Sequence, residues 1–525
     1  MNAGPSIELG DFFDDDNPCG LRALNDHFSR RAYPREVEEA ALRAGFHHYT
    51  VPAALGGLLT DPWDLFLMAR QVSRRSITPV IKYGSSLLGA NPVWLWGSEE
   101  QQALVAKRLL GGDVTSFAVS ERDTGSDLQA TGTEYRVTGP GELELRGEKW
   151  PIGNAARSSV CTTLARTGRG RLSMLLVDRA AGGAIRTGEP SACIGMWGHD
   201  LGGIHFEGPV TGSLVGPEFV GVAQVLKTLQ ITRTAISGLS LGSLDSALAI
   251  AVRYADQRKL YGQAISGLPE VRDEILTMAL DAALGELFVH VALRALVLRP
   301  QSFALWSSIA KAGMPHLAEG GIRAAQRVLG ARSFLDTPYA WRLHQISTEH
   351  DIAGIFEGTS HVNLRNVIEQ AGTELREHDP EALPPLVSVD GPPLTWRPSG
   401  RDLRVTSLGD NPVILDLIHG LETGTTPVDL SRRETDVLLG RLRSASRSAA
   451  AGYALVWTHL FGAVCGFLKV NADVLTSHQK DIAELAAIRA LHLLGIRSDY
   501  PEGPTGRVLD LVLQRTPISM LNEKA

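Results

Sequence analysis

One acidic residue stands between two large apolar side chains and a glycine in the segment Ile355-Phe-Glu-Gly-Thr-Ser360. A carboxylate in an apolar pocket loses hydration, which raises its pKa and makes it an effective base near neutral pH. The segment therefore indicates that Glu357 could abstract a proton. Taken alone, it is equally well interpreted as a surface acid whose charge is stabilised at a helix N-terminus.

A second segment combines hydroxyls, charges and a glycine, Phe117-Ala-Val-Ser-Glu-Arg-Asp-Thr-Gly-Ser-Asp127. Its pattern predicts a strand that runs into a tight turn, where Gly125 permits close approach of the backbone. The hydroxyls of Ser120 and Ser126 and the N–H groups of the turn are suited to binding an anion. A polar β-turn without a ligand explains the same residues, and taken alone it is the simpler interpretation.

Three further segments carry polar groups whose simplest interpretation is structural: Gly147–Asn154, Arg253–Gly262 and Ala324–Gly330. The first predicts a hairpin with a turn at its end. The second predicts a helix end, where Arg258 suits the helix dipole but could also bind phosphate, with Tyr261 packing on an aromatic ring. In the third, Gly330 predicts a helix C-cap, and the amide of Gln326 can bridge a polar ligand.

The elements that would hold these segments change in character along the chain. Helical periodicity up to about Gly112 gives way to short alternating runs between glycines and polar turns, typical of a compact antiparallel β domain. Those runs are Thr115–Val119, Glu134–Thr138, Glu142–Arg146, Val160–Arg166 and Leu172–Asp178. Helical periodicity then returns, and Leu226–Asp256 and Arg272–Leu298 are predicted to be antiparallel neighbours.

The sequence thus predicts an α+β chain in five parts. They are an N-terminal helical domain, a central antiparallel β domain, a helical bundle, a Pro-rich linker and a helical C-terminal extension, with boundaries at residues 1–113, 114–219, 220–372, 373–398 and 399–525. The prolines between Asp379 and Pro398 indicate a linker or a chain lying over a surface. Apolar helices in the extension, such as Ile482–Leu494, need a surface to bury them and are expected to fold back on the bundle.

Composition narrows the class of protein. The chain has 525 residues, too many for one core, and its 44% hydrophobic and 21% charged residues are ordinary for a soluble globular protein. A net charge of −7 argues against a general nucleic-acid binder. Four scattered cysteines suggest neither a metal site nor a disulfide framework. With an acidic N-terminus lacking a signal pattern, and no uninterrupted apolar run of spanning length, we expect a cytoplasmic protein without a membrane span.

In this order, and on an α–β–α layout, the segments resemble the acyl-CoA dehydrogenase family. The family's flavin motif, written TEPxxGSD, matches Ser120–Asp127, and two earlier features match Val51–Gly57 and Gly97–Gln101. The later R-x-x-F/Y-G, Q-x-x-x-G and EGT motifs appear in order at Arg258, Gln326 and Glu357. The resemblance ends near residue 370, although some larger relatives carry a similar helical extension.

The resemblance implies an FAD enzyme that removes two hydrogens from the α and β carbons of an acyl thioester. Glu357 would take the α-proton while the flavin N5 accepts the β-hydride, and Arg233 matches a family arginine near the thioester end of the substrate. The residues expected to bind FAD are Val119, Ser120, Gly125, Ser126, Ile152, Gly153 and Thr359 in one subunit and Arg258, Tyr261, Gln326 and Gly330 from a neighbouring subunit.

A cofactor site shared between subunits implies a homodimer or a homotetramer. In tetrameric relatives the second dimer covers the outer face of the helical domain, so the extension is expected to favour the dimer here. The carrier of the thioester, coenzyme A or an acyl carrier protein, stays open, as does the electron acceptor. The arginines between Arg166 and Arg179 could face the carrier or form a solvated turn.

Departures from the family pattern keep two other functions open. Family members place Trp-Ile-Thr where this chain has Pro151, Ile152 and Gly153, so an aromatic wall and a hydroxyl near the flavin N5 are missing unless Trp150 moves into the gap. An oxygen-using relative, an oxidase or a two-component monooxygenase, is the first alternative, although such monooxygenases commonly lack the glutamate base. The second is a non-catalytic scaffold that binds a partner through the C-terminal helices.

Overall fold

The computed structural model describes residues 4–371, 378–409, 411–442, 448–497, 499–514 and 518–521 of this chain. Its first part is helical, and polar side chains set several helix starts. Asp61 and Ser76 each accept a backbone N–H bond there, and Ser98 forms a capping box with Gln101. The helices of this part are α1 (Leu21–Ser29), α2 (Arg35–Arg43), α3 (Pro62–Ser73), α4 (Ile77–Trp96) and α5 (Glu99–Leu110).

A sheet of seven strands follows, in the order β1-β4-β2-β3-β7-β5 with β6 on β7. The strands are β1 (Val114–Ala118), β2 (Glu134–Gly139), β3 (Glu142–Gly153), β4 (Ser158–Arg166), β5 (Leu172–Asp178), β6 (Gly183–Thr187) and β7 (Leu201–Leu214). Because β4 also pairs with β5, five strands close into a barrel. The α+β class and a mostly antiparallel sheet are confirmed, but β1 and β4 pair in parallel.

Two predictions within this sheet were wrong. The sequence predicted neither β6 nor β7. In β7, Gly202 and Gly208 hold buried positions where an alternating pattern would show large apolar side chains. The segment Gly147–Asn154 is not a hairpin. It is the end of β3, which pairs with β7, and the turn that follows leads into β4, which does not pair with β3.

Long helices then form the bundle, with α6 and α8 packed along each other and α7 beside both. The two predicted helices are each a few residues longer than expected, and a short hairpin of β8 (Lys259–Leu260) and β9 (Gln263–Ala264) follows α6. The helices of this part are α6 (Gly221–Gln257), α7 (Pro269–Leu298), α8 (Phe303–Leu329), α9 (Pro338–His350) and α10 (Ser360–Ala371).

The C-terminal extension folds back over the bundle. Its helices are α11 (Pro384–Val387), α12 (Pro412–Thr423), α13 (Arg432–Leu442), α14 (Ala449–Val470), α15 (Ser477–Leu493) and α16 (Glu502–Leu513). Helices α14, α15 and α16 pack on α7, and α14 also packs on α8 and α10. The Pro-rich segment lies over a surface, since Leu386 and Trp396 are buried and the Trp396 N–H donates to Thr60 O at 2.8 Å.

Among the described residues, three helices are long and apolar enough, by length and composition, to cross a membrane: α6, α7 and α14. The sequence prediction considered only uninterrupted apolar runs and therefore did not single out these three helices. Small polar residues such as glycine, serine and threonine interrupt an apolar run without lowering its mean hydropathy far. In the structure, the most apolar 18-residue segment of each helix is mostly buried inside the protein: 78% of it in α6, 94% in α7 and 83% in α14.

Candidate active site

The loop after β1 and the end of β3 are joined by hydrogen bonds. The Trp150 N–H donates to Ser120 O at 2.9 Å. The fully buried Lys149 donates to Val119 O at 3.1 Å and pairs with the Glu121 carboxylate at 2.7 Å. Glu121 also accepts bonds from the backbone beyond the loop. The structure therefore brings together the two segments that the sequence predicted to line a flavin.

This loop leaves room for a ligand at its tip. Gly125 and Ser126 are exposed, and a Cβ built on Gly125 would meet no atom within 4 Å. Val119 is buried beneath the loop, and Ile152 is buried at the end of β3. The Trp150 ring lies under the guanidinium of Arg122, 4.6 Å from its centroid, and its Nε1 donates to Ser191 at 3.0 Å.

The segment that carries Glu357 has an unusual backbone. Glu357 has a φ of 57° and Gly358 a φ of 94°, so two consecutive residues adopt the left-handed region before α10 begins. Arg233 Nε donates to Glu357 O at 2.7 Å, and Asn363 Nδ2 donates to Gly358 O at 2.9 Å. For a glutamate this conformation costs free energy, and buried hydrogen bonds on both sides stabilise it. The carboxylate is thus placed by the fold.

The Glu357 carboxylate is buried beside an apolar cluster and near the cations Lys311 and Arg233. Phe356 packs on a cluster of buried side chains from α4, α6 and the turn before the segment: Ile77, Ile81, Ile236, Leu239 and Ala353. Glu357 is partly exposed as a whole, but its Oε2 is buried and has no hydrogen-bond partner in the described part of the chain. This burial raises the pKa of Glu357, as a base requires. The neighbouring Ile355, however, points outward and is 58% exposed.

Three residues of this site were missed from the sequence. Lys311 on α8 is fully buried, donates to Ala353 O and lies over the Phe356 ring, 4.6 Å from its centroid. The Thr232 hydroxyl donates to Leu229 O at 3.4 Å and lies near enough to the Glu357 carboxyl to lower its pKa, and His350 Nε2 meets Ser240 Oγ at 3.1 Å. Burial lowers the pKa of Lys311, which faces Glu357. The sequence does show Lys311 inside a strongly apolar helix. Because a buried charge needs a partner, this placement could have indicated an acidic residue nearby.

Arg233 is placed against the base rather than in open space. It is 6% exposed, and its Nη2 lies 2.8 Å from where a Cβ of Gly358 would be. The structure therefore supports a role for Arg233 in holding the backbone of Glu357. Thr359, predicted to contact the flavin, is half-buried beside it, and its Oγ1 accepts the Val362 N–H at 3.4 Å.

The remaining predicted residues lie at the far end of the bundle. A helix rises about 1.5 Å per residue, so the end of α6 at Gln257 is about 36 Å from Arg233. Arg258 and Tyr261 follow that end, and Gln326 and Gly330 mark the corresponding end of α8. One chain therefore does not bring these four residues to its own Glu357. A neighbouring subunit would have to use them.

Three family models match the core of the chain in order. The N-terminal, middle and C-terminal domains of acyl-CoA dehydrogenases match residues 21–113, 116–208 and 220–372. The chain belongs to the acyl-CoA dehydrogenase family. It is accordingly an oxidoreductase, and the part after residue 372 lies outside the three family models.

Individual relatives of the family are distant. (2S)-Methylsuccinyl-CoA dehydrogenase of Cereibacter sphaeroides is 26% identical over 65% of this chain, a match that spans only 64% of that relative's length. An acyl-CoA dehydrogenase of Bacillus anthracis, solved in complex with FAD, has a TM-score of 0.66 at 18% identity and covers 96% of this chain and 90% of its own. The prolyl acyl carrier protein oxidase AnaB has a TM-score of 0.60 at 20% identity over 66% of this chain and 93% of its own. These two structural similarities show the fold alone. The similarity to the Bacillus structure includes the C-terminal helices.

Proposed function

We propose that this protein removes two hydrogens from the α and β carbons of an acyl thioester, with Glu357 as the base for the α-proton. The observation that carries the proposal is the buried Glu357 Oε2, which has no hydrogen-bond partner among the described residues. Burying a hydrogen-bond acceptor without a partner destabilises the folded protein, and a carboxylate with a purely structural role would not require this. A role in proton abstraction explains both its burial and its missing partner.

FAD is the cofactor, and the residues around the loop after β1 fit it. The tip at Gly125 is open, Ser120 and Ser126 offer hydroxyls, and Val119 and Ile152 provide buried apolar surface. When bound, FAD supplies the acceptor for the β-hydride.

The chain's own residues position and polarise the substrate. The N–H of Glu357 makes no hydrogen bond within the described residues, so it is free to donate to the thioester carbonyl and stabilise the developing enolate. Arg233 and Asn363 fix the backbone that carries this N–H. The apolar cluster around Phe356 excludes water from the proton that Glu357 takes.

The test is a thioester screen with FAD-loaded protein. Acyl-CoA and acyl-carrier-protein thioesters are added under anaerobic conditions, with an artificial electron acceptor for turnover. We expect at least one thioester to bleach the flavin bands and yield the α,β-unsaturated product, and the free acids to do neither. A protein that binds FAD but is reduced by no thioester of either carrier would contradict the proposal.

An oxygen-using reaction is the second candidate. It is favoured by Pro151, which is exposed where the family has an aromatic wall, and by Gly153, which lacks a hydroxyl. The same screen in air separates the two functions. Hydrogen peroxide formed at the rate of thioester consumption would identify an oxidase, whereas dependence on the artificial acceptor supports a dehydrogenase.

The arginines between Arg166 and Arg179, which could face a carrier or form a solvated turn, do not all lie in one patch. β5 separates Arg171 from Arg179 by roughly 26 Å. Arg179 donates to Ala155 O at 2.7 Å, and Arg171 lies over the Phe219 ring, 4.8 Å from its centroid. Both therefore have partners inside this chain, and the thioester screen must decide between coenzyme A and a carrier protein.

We propose a homodimer, because the far end of the bundle exposes large aromatic side chains beside residues expected to reach a partner's FAD. Tyr261 is 91% and Phe334 86% exposed. Replacing Phe334 with aspartate should shift the protein toward monomer in light scattering and weaken FAD binding, since a charge opposes burial at the interface. Val137→Asp, on the exposed face of β2, is the matched control and should change neither. A wild-type monomer that retains FAD would contradict a shared cofactor site.

A further inference from the structure

The end of β3 lacks a side chain at Gly153, where the family pattern places a hydroxyl. The backbone does not require glycine there, because Gly153 is not in the left-handed region. The requirement is space. A Cβ built on Gly153 would lie 2.6 Å from Ser85 Oγ and 3.2 Å from Ser85 Cβ. A side chain at position 153 therefore requires the Ser85 hydroxyl to rotate out of its present place.

Ser85 is held in this place by the elements around it. It lies on α4, where the buried Asn154 donates through Nδ2 to Lys82 O at 2.9 Å and to Ser86 Oγ at 3.2 Å. The same amide donates to Thr115 O on β1 at 3.1 Å. One side chain at the end of β3 thus ties α4 on both sides of Ser85, and α4 cannot move away from Gly153 without breaking buried hydrogen bonds.

The hydroxyl of Ser85 is free to bind a ligand. Ser85 is half-buried, and its Oγ makes no hydrogen bond to any residue in the described ranges. The next atom near Gly153 is Nε2 of His199, 3.6 Å from the same built Cβ. Burial lowers the pKa of His199 to about 4, so this ring is neutral near pH 7 and brings no competing charge to the site.

We propose that Ser85 is a flavin-binding residue, whose hydroxyl reaches the cofactor from the place that a side chain at position 153 would otherwise fill. The inference rests on the proposed function, because it needs FAD bound along the loop after β1 and the end of β3. The hydrogen bond from Trp150 N–H to Ser120 O joins those two segments beside Gly153. A contact made by a strand residue in the family pattern is made here by a helix residue.

The first test is Ser85→Ala in the full chain. Losing one hydrogen bond should raise the FAD dissociation constant about two- to tenfold. It should also shift the visible absorption bands of the bound flavin, which a structural role would leave in place. Gly84→Ala is the matched control, since a Cβ at that neighbouring α4 position meets no atom within 4 Å. It should leave both the affinity and the bands unchanged.

The second test places a hydroxyl at position 153 of β3, where the family pattern has one. Gly153→Thr alone should weaken FAD binding on the order of tenfold or more, because its side chain collides with Ser85. In the Ser85→Gly background the same substitution should cost less than about threefold, because the space is vacated and a hydroxyl is restored. An equal penalty in both backgrounds would overturn the proposal.

Other outcomes are equally decisive. If Ser85→Ala changes only the KM for the thioester and leaves the FAD affinity and bands intact, the hydroxyl faces the substrate and the inference is wrong while the proposed function stands. If the wild-type protein binds no FAD, both are wrong.

Discussion

Replacing Glu357 with glutamine is expected to slow reduction of the flavin by a good thioester by about two to four powers of ten. Glutamine keeps the shape of the side chain and removes its basic oxygen. The backbone should be undisturbed, because Arg233 binds the carbonyl of Glu357 and not its carboxylate. Anaerobic stopped-flow bleaching of the flavin measures the rate directly.

The control for this variant is Asp351→Asn, an exposed acid in the turn that precedes the base. It should reduce its flavin at nearly the wild-type rate. FAD binding should survive in both variants, because the loop after β1 is untouched. Equal rates for Glu357→Gln and wild type would show that Glu357 is not the base and would remove the main chemical support for dehydrogenation.

The pH dependence of the wild-type rate should report the same carboxylate. Burial raises the pKa of Glu357, and the nearby Thr232 hydroxyl and the cations Lys311 and Arg233 oppose this without reversing it. Proton abstraction needs the ionised form, so the rate should fall as pH drops through a pKa above the ordinary glutamate range. The residual rate of the Glu357→Gln variant should not show this decrease at low pH.

Much of the fold could be predicted because its signals are local. Helical periodicity and the alternation of apolar and polar residues predicted the N-terminal helical domain, the β domain and the helical bundle. The ordered motifs identified the family. The signal failed where glycine replaced the expected apolar residue, as at Gly208 of β7. The search for long apolar runs also missed helices in which small polar residues interrupt the run, although the mean hydropathy of these helices is high.

The site was less predictable because its geometry joins distant segments. Glu357 could be singled out from its neighbours. For Lys311 the sequence shows a lysine inside an apolar helix but not its place at the site, since nothing local shows that α8 passes behind the turn at Ala353. Likewise Ser85 and Gly153 are far apart in the chain, and only the packing of α4 on the end of β3 reveals that a side chain at position 153 would meet the Ser85 hydroxyl.

Replacing Arg489 with methionine is expected to loosen the C-terminal extension from the bundle. Arg489 on α15 donates to both carboxylate oxygens of Asp281 on α7, at 2.7 and 3.0 Å. The side chains are 13% and 1% exposed, so the variant leaves a buried carboxylate without its cation. Breaking such a pair costs about 3–5 kcal/mol. Hydrogen exchange of the α15 amides should therefore accelerate by about two to four powers of ten, if exchange there proceeds through opening of this contact.

Two further variants decide whether the ion pair or apolar packing holds α15 in place. Arg365→Met, which removes an exposed pair with Glu369 on α10, should leave exchange in α15 unchanged. Adding Asp281→Leu to Arg489→Met removes the stranded charge and should restore most of the protection, because apolar residues of similar size often replace a buried ion pair without loss. Unchanged exchange in Arg489→Met alone would show that the apolar faces of α14 and α15 suffice. In that case the Asp281–Arg489 pair would set only the register of α15 along α7.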